Sequence, residues 1–117
     1  MNKNSSKITA EDYLQELNSQ LDENLKIDFS SIKIEKKISE GGYGIIYRGR
    51  WRDCVVAIKM LKYTKKLSQI KDFMSECLAM QALRHPNIVL FIGACTEMPN
   101  LGIVLEYCKL GSLWNVL

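Results

Sequence analysis

The sequence predicts an α+β fold: a five-stranded antiparallel sheet with one long helix, preceded by a short amphipathic helix. Three observations carry this. Residues 32–61 hold three β-branched or aromatic runs separated by turn residues. Residues 67–83 place apolar side chains at helical spacing. Two further apolar runs then flank the turn-like Glu97-Met98-Pro99-Asn100.

In chain order, Thr9 with Asp12 three residues on resembles a helix start, and Leu14, Leu17 and Leu21 recur at helical spacing over roughly 10–23. So short a helix is marginal alone, so its leucine stripe should rest on the main body or on a partner. From Ile32, the stretch "SIKIEKKIS" alternates Ile32, Ile34 and, after a slip, Ile38. It is followed by "GIIYRGRW" and "DCVVAIKML", which should form an antiparallel meander with it. Leu67, Ile70, Phe73, Met74, Cys77, Leu78, Met80 and Leu83 form the stripe of the long helix, which ends before His85-Pro86. "NIVLFIGAC" and "LGIVLEY" read as a second hairpin, and "CKLGSLWNVL" begins a further element.

At 117 residues, with 47% hydrophobic and 25% charged, the chain has room for one domain with a modest core. A net charge of +3 is too small to argue for nucleic acid or a membrane surface. Arg48, Arg50 and Arg52 alternate along one strand, as a solvated face or a surface for an acidic partner. Cys54, Cys77, Cys95 and Cys108 lie far apart without a C-x-x-C pair, each in or beside an apolar segment, as expected of buried free thiols in a reducing compartment. There is no signal core or membrane-length apolar run, and Asn2 excludes the N-myristoylation pattern, so the expected location is cytoplasmic. The Asn4-Ser5-Ser6 sequon carries no meaning in that setting.

The glycines of "ISEGGYGIIYRG" admit two readings. Ser39-x-Gly41-x-x-Gly44 fits a phosphate-binding G-x-G-x-x-G only with serine at the first position, and the same stretch could be a tight hairpin with no ligand. A dinucleotide fingerprint or a P-loop needs a helix directly after the glycines, and a strand-like run follows here. In "VVAIKML" the period of two puts Val55, Ala57, Lys59 and Leu61 on one face. Lys59 either snorkels to water from a strand edge or meets an anion. Glu76 is the candidate anion, at the apolar stripe between Phe73 and Met80, although it could face solvent at the stripe's border.

In this order, "ISEGGYGIIYRG", "VVAIKML", "MSECLAM", "LRHPNIVLFIGACTE" and "LGIVLEYCKLGSL" resemble the N-terminal lobe of a protein kinase. The tyrosine-kinase-like, Raf-like serine/threonine branch is the most similar. The resemblance runs from about Ile32 to the end. It implies an N-terminal extension over 1–31, the lobe over 32–108, and a hinge exit opening a larger lobe over 109–117.

ATP is the implied cofactor. Gly41, Gly42 and Gly44 would form a flap over its phosphates with Tyr43 at the tip, and Ile38, Ile46 and Ala57 an apolar ceiling over adenine. Lys59 would hold the α- and β-phosphates, oriented by Glu76. Leu105 resembles the gatekeeper, Glu106, Tyr107 and Cys108 the hinge, and Met80 and Phe91 members of a regulatory hydrophobic spine. His85 resembles a structural turn residue, and Arg84 a position used in side-to-side dimers.

The catalytic base of H-R-D and the magnesium-binding aspartate of D-F-G do not occur in these 117 residues. By this resemblance the chain alone is expected to be inactive, with magnesium ligands and the adenine floor supplied by the larger lobe, and ATP binding correspondingly weak. Without that lobe, the apolar face around Ile38, Ile46, Ala57 and Leu105 should lie exposed and favour self-association there or near Arg84. The alternative is a pseudokinase or scaffold lobe that works through protein contacts; retention of Lys59 and Glu76 favours the enzyme, with a protein substrate.

Overall fold

The computed structural model describes residues 8–42, 44–62, 66–83 and 91–107. Helix α1 (Ala10–Gln20) is followed by 3-10 turns at Glu23–Leu25 and Phe29–Ser31. Strands β1 (Lys33–Gly41), β2 (Gly44–Trp51) and β3 (Cys54–Met60) come next, then helix α2 (Leu67–Ala82) and strands β4 (Phe91–Cys95) and β5 (Gly102–Glu106). All five strands form one antiparallel sheet in the order β1-β2-β3-β5-β4. The expected meander and second hairpin are both present, and β5 joins them by pairing with β3.

Local chemistry accounts for the boundaries. Thr9 Oγ1 accepts from the Asp12 N–H at 3.2 Å and Asp12 Oδ2 from the Thr9 N–H at 2.8 Å, a capping box that starts α1. The helix stops at Gln20, short of the expected 23, where Asp22 accepts from the Asn24 N–H and turns the chain. The slip among Ile32, Ile34 and Ile38 corresponds to two register irregularities in the β1–β2 pairing, Ile34/Lys36 and Lys37/Ser39. Between β2 and β3, Arg52 and Asp53 both take left-handed conformations, which suits a two-residue hairpin turn.

The sheet has a core on each face. On one, Val56, Ile58, Cys95 and Val104 pack with Ile27 and Ile32. On the other, Leu14, Leu17, Leu21 and Leu25 join Ile70, Phe73 and Cys77 of α2 and Phe91, Ala94 and Ile103 of the sheet. The α1 stripe therefore rests on the main body. The α2 stripe is narrower than its periodicity suggests, because neighbours bury Ile70, Phe73 and Cys77 while Leu67 and Leu83 at its two ends are 39% and 77% exposed.

The open apolar face expected around Ile38, Ile46, Ala57 and Leu105 is not found in that form. Ile46 and Ala57 are only 7% and 1% exposed, and Ile38 and Leu105 are half-buried. Small Ala57 sits between Arg48 and Leu105, whose longer side chains flank it. The large hydrophobic side chains that are exposed among the described residues are Ile8, Ile34, Leu67, Leu83 and Met98, which are scattered through the fold.

At the turn end of the β1–β2 hairpin, the Glu40 carboxylate meets Lys37 Nζ at 2.8 Å and Lys62 Nζ just beyond β3, so one anion ties β1 to the end of β3. Hydrogen bonds from Lys37 and Lys62, and then their charges, pull its pKa from the usual 4.5 to about 2. Because the folded value is depressed, the stabilisation is complete above about 4.5 and is lost as pH falls through about 2. A carboxyl NMR titration should find the Glu40 midpoint near 2, rising in Lys62→Met; an ordinary glutamate midpoint would remove the clamp.

Burial first, with the Glu76 carboxylate adding to it at Cys77 and Asp28 at Cys95, pushes both thiols up to about 12. Cys54, expected to be buried, is exposed because it opens β3 directly after the Arg52–Asp53 turn, so native alkylation at pH 8 should label it and spare Cys77 and Cys95 until the chain unfolds. Peptide mass spectrometry showing Cys77 labelled as fast as Cys54 would contradict the described packing.

Candidate functional site

In an antiparallel sheet, residues directly opposite one another project to the same side. Ser39, Ile46, Lys59 and Ile103 form one such row across β1, β2, β3 and β5. Lys36, Arg48, Ala57 and Leu105 form another. Register thus brings Ile46, Ala57, Lys59 and Leu105 onto the α2 side of the sheet, where Ile103 and Leu105 join the α2 core.

Across from this face, Glu76 projects from α2 and its Oε2 lies 2.8 Å from Lys59 Nζ. The pairing is as expected, but its setting is wetter: the Lys59 side chain is 28% exposed and that of Glu76 44%. Desolvation therefore does not force the contact, and an ion pair so exposed contributes about 0–1 kcal/mol. Its value lies in where it holds the ammonium.

That place is a cleft of ≈ 300 Å³ lined by Gly42, Lys59, Leu61, Gln69, Asp72, Phe73, Glu76 and Ile103. Gly42, from the tight end of the β1–β2 hairpin, leaves open space where a side chain would stand. Gly44 is glycine for a different reason: its φ is +131°, and a Cβ there would overlap the Met60 carbonyl oxygen. The hairpin is therefore seated on β3, with Glu40 pinning it beside the turn.

Gln69 and Asp72 are cleft residues that sequence reasoning missed. The signal was available, since Asp72 precedes Glu76 by four residues and Gln69 by seven, on the same helical face.

Of the other expected site residues, Gly41 pairs with Gly44 at the hairpin end and Ile38 lies at a register irregularity of β1. Leu105 and Glu106 end β5, and the Arg48 guanidinium stands 5.4 Å from the centroid of the Tyr107 ring just after it. None of these lines the Lys59 cleft, which gathers the charged end of the expected site alone. Phe91 is buried in the α2 core and Met80 packs against it, as their spine resemblance requires and as plain core packing would also produce. Tyr43, Arg84, His85, Cys108 and residues 109–117 lie outside the described residues.

A sequence profile of the protein tyrosine and serine/threonine kinase family matches residues 32–117. A probable serine/threonine-protein kinase of Dictyostelium discoideum is 42% identical over 95 residues, 80% of this chain and 10% of that protein. Two Arabidopsis thaliana serine/threonine-protein kinases are similar: STY17 at 43% over 93 residues (79% of this chain, 16% of that protein) and CTR1 at 40% over 96 (81% and 12%). The chain spans about 6–16% of the length of the curated relatives it matches. The matched span opens just before β1 and takes in the whole sheet and α2, so the chain belongs to the protein tyrosine and serine/threonine kinase family and folds as its N-terminal lobe.

Proposed function

We infer that this lobe binds ATP for phosphoryl transfer to protein serine or threonine in the full-length kinase, with Lys59 on the α- and β-phosphates and Glu76 as its anchor. The 2.8 Å contact between Lys59 Nζ and Glu76 Oε2, at the wall of a cleft capped by Gly42, carries the reading. The residues suit a polyphosphate: an ammonium with a fixed position, and a hairpin end that offers backbone in place of a side chain. ATP supplies the transferable phosphoryl group; the contribution of this half is positioning and charge neutralisation. The Asp72 carboxylate in the same cleft repels an anion, which leaves the Lys59 side as the place for one.

Ile38, Ile46 and Ala57 would cover adenine, and the backbone of Glu106, Tyr107 and Cys108, with Leu105 as gatekeeper, would hold it. The flap comprises Gly41, Gly42, Tyr43 and Gly44. Magnesium ligands and the adenine floor come from the larger lobe. The serine/threonine preference is inferred from the printed names of the relatives, and a reducing, cytoplasmic setting from the buried thiols of Cys77 and Cys95. Self-association near Arg84 stays within the proposal, whereas the ceiling face has lost most of its driving surface to burial of Ile46 and Ala57.

Calorimetry with Mg-ATP on the 117-residue chain should give weak binding, with a dissociation constant on the order of millimolar. Lys59→Ala should weaken it roughly tenfold, the loss of a charge-assisted contact of about 1.4 kcal/mol. Equal affinity in the variant would remove Lys59 from the account, and submicromolar binding by the parent chain would mean that the site is complete without a second lobe. Gly44→Ala should lower stability by about 1–3 kcal/mol in urea titrations through backbone strain and overlap, while Gly42→Ala should fold as well as the parent. A larger stability loss at Gly42 than at Gly44 would invert their assigned roles.

A further inference from the structure

The family match begins at residue 32, yet residues 10–27 are built into the core ahead of it. Leu14, Leu17, Leu21 and Leu25 share one cluster with α2 and with strands β4 and β5. Polar contacts fix the segment to both. On α2, Gln81 Nε2 donates to the Gln20 carbonyl at 3.1 Å and its Oε1 accepts from the Asp22 N–H at 2.7 Å, satisfying backbone groups where α1 ends. On the sheet, Lys26 bridges Ala94 in parallel, the Ile27 N–H donates to the Ala94 carbonyl at 2.9 Å, and Thr96 Oγ1 donates to Asn18 Oδ1 at 2.8 Å. Gly93 makes room for this: a Cβ there would overlap the Leu25 carbonyl oxygen.

Lys59 stands on the sheet and Glu76 on α2, so their contact requires a fixed spacing between the two elements. An ion pair exposed to water contributes too little to set that spacing. Residues 10–27 are gripped by both elements, and Gln81 lies little more than one helical turn beyond Glu76.

We propose that residues 10–27 are a brace that holds α2 where Glu76 reaches Lys59, with Gln81 as its positioning residue; this rests on the reading of Lys59 and Glu76 as the functional pair. Displacing the brace, by a partner that takes the leucine stripe or by a change at Gln81, frees α2 to move and releases Lys59. The brace thereby gives this lobe a means of control that lies outside the family-matched span.

The test uses the 117-residue chain and a readout independent of ATP. Lys59 acylation by N-hydroxysuccinimidyl acetate at pH 8 is followed by peptide mass spectrometry, with exposed Lys33 and Lys36 as internal references. Gln81→Met, close in volume but unable to make either hydrogen bond, should raise the Lys59 rate roughly threefold or more. Glu76→Gln should raise it as much, and adding Gln81→Met to that variant should change nothing further. Gln81→Glu, which keeps the acceptor for Asp22, should restore part of the protection. If Gln81→Met lowers the urea midpoint but leaves the Lys59 rate at the parent value, Gln81 only caps α1 and the proposal falls. Additive rates in the double variant also overturn it. Failure of ATP to bind would count against the functional reading and leave this readout intact.

Discussion

Burial of the Ile70, Phe73 and Cys77 stripe of α2 is the constraint on which the rest of the structure depends. One helix face must satisfy two neighbours, the α1 segment and the sheet, and that double contact fixes the rotation of α2 about its axis. With Phe73 and Cys77 turned inward, Glu76 between them falls at the stripe's edge, where it reaches Lys59 and still touches water. The carboxylate is placed by apolar packing; the ion pair is a result of that placement.

The site shows a division of labour between strong and weak interactions. Leucines at α1, each contributing about 1.5–3 kcal/mol on burial, hold the elements together. The charged groups contribute little to stability but set direction: Glu76 aims Lys59 into the cleft, and Glu40 pins the turn end of the hairpin through Lys37 and Lys62. The Lys59 ammonium keeps part of its hydration in a fixed place, which one sealed in the core would not.

Much of this was legible because it follows from short-range periodicity. The strands, α2 and the Lys59 face followed from alternation and helical spacing, and the slip at Ile38 marked a register irregularity. The family resemblance rested on ordered local blocks, and the profile match and the relatives bear it out. Asp72 and Gln69 were legible in principle, one and two turns before Glu76, but helical spacing alone does not say which polar residues of a face border a cleft. Burial of Ile46 and Ala57 was not legible, since it depends on which cross-strand neighbours flank them.

The sequence by itself determined the elements, the face that carries Lys59, the glycine-bearing hairpin and the family, because each is written within one helix turn, one strand pair or one motif. Only the tertiary structure decided that the Lys59 and Glu76 contact is half in water and that β5, not β4, pairs with β3. It alone placed the N-terminal leucines between α2 and the edge strand, with Gln81 and Gly93 receiving them. Those outcomes depend on residues tens of positions apart competing for the same space, and a linear pattern does not record which of them meet.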